Sequence, residues 1–251
     1  MSATGRKLVL DEETDVATAK ARAADRQPAL ARIFCAILPL YTSPHTVPVE
    51  KEELPITSVA GSTTRWHYAL AKRAVDLTLS AFFLLLLAPL LIVIALLIRM
   101  DSPGPAAFIQ KRVGLRGRLF DIYKFRTMHV GVPKYDVSPT TPYDRRITRI
   151  GRFLRRTSLD ELPQLFNVLM GNMSLVGPRP EMPFIVNRYG VRHRERLQVT
   201  PGITGLWQLS ADRIFPIHEN MEYDLYYIRN RSFFLDVAIL IHTLFFAMRG
   251  I

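Results

Sequence analysis

The order of apolar and polar residues predicts one long membrane-inserted helix followed by a folded region. Residues 77–98 are 22 uncharged, strongly apolar residues, which as a helix extend about 33 Å, close to the thickness of a bilayer's hydrocarbon core. Pro89 lies inside this run and should break or bend the helix. Basic residues flank both ends, and both ends should therefore favour the cytoplasm. We expect a re-entrant helix; a straight transmembrane span is the alternative.

Beyond this run the pattern changes to short elements. Residues 119–125 alternate in polarity, with Phe120 and Ile122 apolar, which predicts a strand that forms a hairpin with 107–111. Apolar residues at helical spacing opposite arginines predict a basic amphipathic helix over 144–156 at the membrane surface. An ordinary helix packed on the core is the alternative. A short helix should start at 222, and 233–248 should form an apolar helix on the body or at the interface. The predicted fold class is α+β, mostly helical with a small β-hairpin.

The chain should divide into three regions. Residues 1–64 should be a largely disordered tail, with a short helix over 29–41 as a minor alternative. Residues 65–100 should hold the membrane-inserted helix. Residues 101–251 should form a cytoplasmic catalytic domain, in which 129–143 is a mobile loop.

Charge narrows the partners. Residues 1–60 are nearly neutral, whereas 61–251 hold 26 basic against 14 acidic residues, a net charge of +12. Such an excess favours nucleic acid, anionic lipid or phosphorylated substrates. The single cysteine, Cys35, excludes an internal disulfide and fits a reducing compartment.

The segment 157–180 contains the residues best suited to chemistry. Asp160 and Glu161 follow an arginine-rich stretch, and Ser158 with Glu161 has the spacing of a capping box at a helix start. A carboxylate in a first helical turn among arginines should stay ionised and could attack phosphorus. Plain helix capping is the alternative, and Pro163 could instead mark a later helix start.

Two further turns could contact an anionic ligand. Residues 177–180, Gly-Pro-Arg-Pro, should hold Arg179 as a phosphate clamp, or merely end a helix. Residues 201–205, Pro-Gly-Ile-Thr-Gly, should form a loop that brings backbone close to a ligand. The sequence has no phosphate-binding P-loop and no Cys/His cluster with zinc spacing. Mg²⁺ held by a carboxylate and substrate phosphates needs neither.

Three segments resemble the bacterial sugar transferases, which are monotopic phosphoglycosyl transferases: KFRTM at 124–128, residues 146–180, and PGITGLWQ at 201–208. The resemblance runs from about Lys72 to the C-terminus. It implies a nucleotide-sugar donor, a polyprenyl phosphate acceptor, Mg²⁺ and a two-step reaction at the cytoplasmic face of the bacterial inner membrane. That reaction would initiate the synthesis of an exopolysaccharide or another surface glycan.

The resemblance also assigns residues. Asp160 is the expected nucleophile, and Glu161 the expected metal ligand. The other expected site residues fall into four sets: phosphate-binding Lys124, Arg126, Arg155 and Arg179; substrate-loop Pro201, Gly202, Thr204, Gly205, Trp207 and Gln208; supporting Asp224; and membrane-helix Lys72, Arg73, Asp76 and Pro89.

The sugar is predicted from the end of the third segment. Leu-Trp-Gln at 206–208 resembles members that transfer hexose phosphates, so we expect UDP-glucose or UDP-galactose as donor. Trp207 could offer a flat face to a sugar or uracil ring, or pack in the core. The competing function is a non-catalytic, membrane-tethered basic module that binds anionic lipid or nucleic acid. For the enzyme no nucleic-acid partner is expected, and the sequence leaves a homo-oligomer open.

Overall fold

The computed structural model describes residues 66–135, 139, 141, 143–210, 213 and 220–248. The chain divides into two compact units, Met1–Ala60 with Ser210–Glu222 and Gly61–Leu209 with Tyr223–Ile251. The second unit holds nearly all described residues. The predicted tail over 1–64 and the short helix considered over 29–41 lie outside the described residues, as does part of the loop predicted over 129–143.

The described elements confirm a mostly helical α+β architecture with a small β-hairpin. The helices are α1 (Trp66–Asp101), α2 (Arg149–Thr157), α3 (Gln164–Leu169), α4 (Pro183–Val186), α5 (Leu206–Leu209), α6 (Glu222–Asn230) and α7 (Phe233–Met248). The strands are β1 (Ala107–Val113), β2 (Leu119–Phe125), β3 (Ser174–Val176) and β4 (Gly202–Thr204), and 3₁₀ turns cover Leu115–Gly117, Leu159–Glu161 and Arg192–Gln198.

Helix α1 is a continuous helix of 36 residues. The predicted break at Pro89 does not interrupt it, because a proline removes one backbone hydrogen bond while the bonds on either side persist. Among the described helices, α1 is long and apolar enough to cross a membrane. Its buried positions repeat every four residues at each end, whereas the middle is exposed, with Leu85 at 80%. The buried positions are Asp76, Ser80 and Leu84, then Ile94 and Ile98.

The predicted hairpin is confirmed. Strands β1 and β2 pair antiparallel, with Ala107 opposite Phe125 and Val113 opposite Leu119. The alternation of side chains places Phe120 and Ile122 in the core, as their spacing predicted.

Helix α2 starts later than predicted. The predicted helix began at 144, but α2 begins at Arg149 because Thr148 caps it: the Gly151 N–H donates to Thr148 Oγ1 at 2.9 Å. Gly151 lets α2 approach the segment that follows β2, since a Cβ there would lie 2.1 Å from the Thr127 carbonyl oxygen. Leu154 then joins Ile94, Ile98 and Phe125 in one apolar cluster.

The predicted capping box at Ser158 is wrong. Ser158 ends α2 in the left-handed conformation, with φ 57° and ψ 15°, and its side chain caps no helix. The next α-helix, α3, begins at Gln164 after Pro163. The alternative of a later start marked by this proline is therefore confirmed.

A second, two-stranded sheet replaces the loop predicted over 201–205. Strands β3 and β4 pair in parallel, Ser174 opposite Gly202 and Val176 opposite Thr204. A Cβ on Gly202 would lie 2.1 Å from the Gly177 nitrogen. This glycine therefore serves a close approach between two backbone segments of the chain, and not an open loop.

Candidate active site

Asp160 and Glu161 lie on the 3₁₀ turn Leu159–Glu161, between α2 and α3. The left-handed Ser158 reverses the chain and presents both carboxylates toward neighbouring elements. Basic side chains reach them from three elements: Lys124 from β2, Arg155 from α2, and Arg179 from the turn after β3. The structure therefore brings together five of the residues predicted from the sequence.

Glu161 is the carboxylate that makes the direct contacts. Lys124 Nζ donates to Glu161 Oε1 at 2.7 Å. Arg179 binds the same carboxylate with two hydrogen bonds, from Nη2 to Oε1 at 2.7 Å and from Nη1 to Oε2 at 3.2 Å. Burial alone would raise the pKa of Glu161, but Arg179 and Lys124 outweigh it and lower that pKa well below its usual range. Glu161 is thus firmly ionised.

Asp160 has a different environment. Burial, followed by the negative charge of Glu161, raises the pKa of Asp160 to about 6, although Lys124, Arg155 and Arg179 oppose the rise. The sequence predicted an ordinary ionised carboxylate in a first helical turn; burial and the neighbouring Glu161 explain why the pKa of Asp160 is higher than that prediction implies. Near pH 7 the group is still mostly ionised, and its raised pKa makes it a stronger base than an exposed aspartate.

Arg155 faces this pair from α2. Its Nε donates to Thr127 Oγ1 at 2.9 Å, which orients the guanidinium. Burial lowers the pKa of Arg155, and Asp160 partly offsets that effect. Arg155 thus lies close enough to Asp160 for their charges to interact.

Arg126 has other partners. It is 6% exposed, and its Nη2 donates to the Ser102 carbonyl at 2.7 Å and to Ser102 Oγ at 3.0 Å. Its Nη1 donates to the Pro103 carbonyl. The guanidinium therefore caps the C-terminal end of α1, which is at odds with the predicted phosphate contact.

Arg112 on β1 is a cation that the sequence analysis missed. It is mostly buried, and it makes a long hydrogen bond to the Pro180 carbonyl (3.3 Å) and a 3.8 Å charge contact with Glu181. Burial, then the positive charge of Arg179, lowers the pKa of Arg112 to about 10. Nothing in the sequence around Arg112 indicated that this strand residue would lie beside the candidate site.

The predicted substrate-loop residues brace the Gly-Pro-Arg-Pro turn. The Gly202 N–H donates to the Pro178 carbonyl at 2.9 Å, and the Gly177 N–H donates to the Thr204 carbonyl at 2.9 Å. A Cβ on Gly205 would lie 2.5 Å from the Gly177 carbonyl oxygen. Pro201 is buried beside β4, and the half-buried Trp207 and Gln208 lie on α5, where Gln208 Nε2 donates to the Ile203 carbonyl at 3.3 Å.

Asp224, predicted as a supporting residue, lies behind Arg179. Its Oδ2 is 2.7 Å from Nη2 of Arg196, and the same nitrogen donates to the Arg179 backbone carbonyl at 2.7 Å. Burial raises the pKa of Asp224, while Arg196 opposes the rise.

The predicted membrane-helix residues tie α1 to the folded unit. Lys72 Nζ donates to Asp236 Oδ2 at 2.9 Å. Arg73 donates to the last carbonyls of α3, those of Val168 (2.7 Å) and Leu169 (2.9 Å). The Leu175 N–H donates to Asp76 Oδ1 at 2.9 Å.

The described residues contain no group of three His, Cys, Asp or Glu side chains able to hold a metal ion. Glu161 nevertheless keeps some capacity, because its two oxygens have about four lone pairs and three accept the hydrogen bonds described above. One carboxylate ligand is enough for Mg²⁺ that arrives with substrate phosphates and water.

Known proteins that resemble this chain are bacterial sugar transferases. A family model with that description matches residues 67–250. The chain is 45% identical over 191 residues to an undecaprenyl-phosphate glucose phosphotransferase of Komagataeibacter xylinus, covering 70% of this chain and 35% of that protein. It is 43% identical over 191 residues to a UDP-glucose:undecaprenyl-phosphate glucose-1-phosphate transferase of Caulobacter vibrioides, covering 73% and 72%.

A third relative carries a different sugar in its name. It is a UDP-N-acetylgalactosamine-undecaprenyl-phosphate N-acetylgalactosaminephosphotransferase of Aeromonas hydrophila, 39% identical over 183 residues, covering 70% of this chain and 43% of that protein. The chain thus spans less than half the length of two of these relatives and nearly three quarters of the other. The matched family region covers most of the sequence, and this chain belongs to the bacterial sugar transferase family.

Proposed function

We propose that this protein transfers a sugar-1-phosphate from a UDP-sugar to undecaprenyl phosphate at the cytoplasmic face of the bacterial inner membrane, the first step of a surface glycan. The observation that carries the proposal is the arrangement of two adjacent carboxylates. Glu161 is held ionised by Lys124 and Arg179, while Asp160 beside it acquires a raised pKa among the same cations.

The reaction follows from the chemistry of Asp160. One of its carboxylate oxygens attacks the phosphorus that bears the sugar, and the bond from this phosphorus to the bridging oxygen breaks. UMP leaves with that electron pair, so a phosphosugar remains on Asp160. An oxygen of undecaprenyl phosphate then attacks the same phosphorus and displaces the Asp160 oxygen. The products are undecaprenyl-diphospho-sugar and free enzyme.

The cations around Asp160 would stabilise the charge that develops on the phosphate oxygens. Arg179 offers two donors in a fixed fork suited to phosphate, and Lys124 acts as a point charge. Arg155 and Arg112 approach from α2 and β1. In phosphoryl transfer such positioning and charge neutralisation supply most of the catalysis.

Mg²⁺ bound to Glu161 and the donor phosphates would further neutralise these charges. The free lone pair on Glu161 supports this assignment. Titrating UDP into the protein with and without Mg²⁺ tests it without an activity assay: we expect tighter UDP binding with Mg²⁺, and a much smaller gain in Glu161→Gln.

Release of UMP from UDP-sugars tests the function as a whole. Purified protein with undecaprenyl phosphate and Mg²⁺ should release UMP from at least one UDP-sugar and form a lipid-linked sugar. The Asp160→Asn variant should do neither. Binding of anionic vesicles without UMP release from any donor would favour the non-catalytic basic module.

We also propose that α1 is re-entrant, an unbroken helix that bends at Pro89 so that both ends lie on one side of the membrane. A helix that crosses the bilayer separates its ends by about 30 Å of hydrocarbon. Both ends of α1 contact the same compact unit: Tyr68 and Lys72 reach Asp236 on α7, and Ile98 packs with Leu154 of α2. The middle of the helix is exposed. These contacts support a helix that enters and leaves the membrane on the same side.

Cysteine labelling tests this topology. With Cys35 replaced by serine, we would introduce Trp66→Cys and Leu119→Cys separately, at positions that are 64% and 58% exposed. An impermeant thiol reagent should label both from the cytoplasmic side of membrane vesicles. Labelling from opposite sides would establish a spanning helix. Permeabilised vesicles provide the control that both cysteines react.

Two helices carry apolar side chains that would face the membrane interface. Phe153 on α2 is 50% exposed, and Phe234 and Leu244 on α7 are 85% and 61% exposed. Exposed apolar residues of this kind, with arginines on the rest of α2, support an interfacial position.

For the sugar we propose a hexose, on the resemblance of residues 206–208 to hexose-transferring members. The relatives include both a glucose and an N-acetylgalactosamine enzyme, so overall identity does not decide the sugar. UMP release should be faster with UDP-glucose or UDP-galactose than with UDP-N-acetylhexosamines. The reverse order would overturn this assignment.

A further inference from the structure

A buried pair of charged side chains lies behind Arg179 and has no part in the proposed chemistry. Arg196, on the 3₁₀ turn Arg192–Gln198, is 4% exposed, and Asp224, on α6, is 1% exposed. Arg196 Nη2 lies 2.7 Å from Asp224 Oδ2. Removing two such charges from water is costly, and a buried ion pair is therefore a poor source of stability by itself.

The pair reaches the site through the backbone. Arg196 Nη2 also donates to the carbonyl of Arg179 at 2.7 Å, and Arg196 Nη1 donates to the hydroxyl of Tyr189. A planar guanidinium can serve these partners at the same time, whereas a lysine ammonium offers no such fixed fork. Arg196 thus links α6 and the segment after α4 to the Gly-Pro-Arg-Pro turn.

The Arg179 carbonyl that accepts this hydrogen bond belongs to the backbone from which the Arg179 side chain extends, so holding the carbonyl helps to place that side chain. Pro178 and Pro180 fix their own φ angles, and Pro180 also restricts Arg179 to extended backbone. The hydrogen bond from Arg196 further restrains the plane of the peptide after Arg179. The side chain of Arg179 leaves this fixed point to reach Glu161.

We propose that Arg196, oriented by Asp224, is a positioning residue that holds Arg179 in register with the diphosphate of the nucleotide sugar. This inference rests on the proposed function. A displacement of about 1 Å in such a group can lower the rate about a hundredfold. The Arg196 pair therefore affects the reaction through Arg179, without touching the substrate.

A double-mutant cycle tests the proposal. Arg196→Met and Asp224→Asn should lower kcat/KM for the donor about tenfold or more, through both a lower kcat and a higher KM, and Arg196→Lys should restore part of the loss. In the Arg179→Lys variant the guanidinium that Arg196 would position is already absent. There the same substitutions should lower kcat/KM by no more than about twofold. UDP binding, measured at equilibrium, should follow the same pattern.

Glu195→Gln is the matched control. Glu195 lies next to Arg196, and its 3.7 Å ion pair with Arg229 joins the same two elements as the Arg196–Asp224 pair. This variant should keep kcat/KM and UDP binding near the wild-type values. An equally large loss in Glu195→Gln, or equal losses in both Arg179 backgrounds, would overturn the proposal.

If Arg196→Met does not fold, Asp224→Asn and Arg196→Lys decide the question in the same cycle. If the wild-type protein releases no UMP, the proposed function fails, and UDP binding by the same variants still decides whether Arg196 positions Arg179.

Discussion

Two clusters in this protein are built from the same kinds of side chain, a carboxylate with a lysine among its partners. In the first, Asp236 on α7 accepts hydrogen bonds from Tyr68 (2.8 Å), Lys72 (2.9 Å) and Tyr227 (2.7 Å). One negative charge meets one positive charge, and both carboxylate oxygens have partners. This Asp236 cluster joins α1 to α7, and within it the charges of Asp236 and Lys72 balance each other.

The second cluster, around Asp160 and Glu161, is not balanced in this way. Lys124 and Arg179 bind Glu161 directly, whereas the cations act on Asp160 through their electric field. The buried Arg112 adds a further positive charge with weak partners of its own. In the proposed function, cations in excess near a carboxylate with raised pKa would provide both a nucleophile and a place for phosphates. The difference between the clusters separates a structural contact from a candidate site.

The strongest test of this difference is Asp160→Asn. The amide cannot attack phosphorus, so UMP release should fall at least about a thousandfold. Folding should be little affected, because Asp160 is not the carboxylate that holds the cations. UMP release and thermal unfolding are measured on the same preparation. Substantial activity in a well-folded Asp160→Asn protein would contradict the covalent mechanism.

Glu161→Gln should have the next largest effect. It removes the charge that holds Lys124 and Arg179, and the expected loss of kcat is about a hundredfold to a thousandfold. The Mg²⁺ concentration for half-maximal activity should rise. Asp121→Asn is the control, since its 2.8 Å pair with Lys111 is exposed. A modest loss of stability with normal activity would instead mean that Glu161 is structural.

Sequence periodicity predicted the elements whose burial follows from their own residues. The hairpin is one example, because Phe120 and Ile122 alternate with polar neighbours. Helices α6 and α7 are others. The end of α2, predicted at 156, lies at Thr157, but the left-handed conformation of Ser158 was not predicted, since Ser-x-x-Glu spacing is the same in a cap and in a 3₁₀ turn.

The candidate site residues that were predicted from the sequence are those inside the motifs that resemble the family. Asp160, Glu161, Lys124, Arg155 and Arg179 come together in space as the resemblance implied. Arg126 lies two residues after Lys124, and strand alternation alone would place both side chains on the same face. Strand β2 ends at Phe125, however, and Arg126 instead binds Ser102 at the end of α1. Arg112 and Arg196 were not assigned, because their roles depend on contacts with the distant turn at 177–180.

Arg179→Lys and Arg155→Lys sharpen the comparison further. Each keeps the charge but loses the planar fork, so kcat/KM for the donor should fall about tenfold to a hundredfold. The Arg179 variant should be the more affected, because its guanidinium makes the two bonds to Glu161. Steady-state kinetics measure both. Near-normal kinetics in both variants would argue against direct phosphate contacts.

Asp236→Asn should change activity least and stability most. It leaves Lys72, whose side chain is 18% exposed, without its partner at the base of α1. Breaking a buried ion pair costs about 3–5 kcal/mol, and the partial exposure of Lys72 should bring the loss toward the lower end. Denaturant unfolding measures it, with Lys111→Gln as an exposed-pair control that should cost much less stability. If the charge pair is structural, Lys72→Met combined with Asp236→Leu should recover part of the stability, because no unpaired charge remains.

kcat/KM of the folded Asp236→Asn protein should stay within about threefold of wild type, since the change lies outside the proposed site. A loss of activity as large as that of Glu161→Gln, at unchanged stability, would erase the distinction between the two clusters.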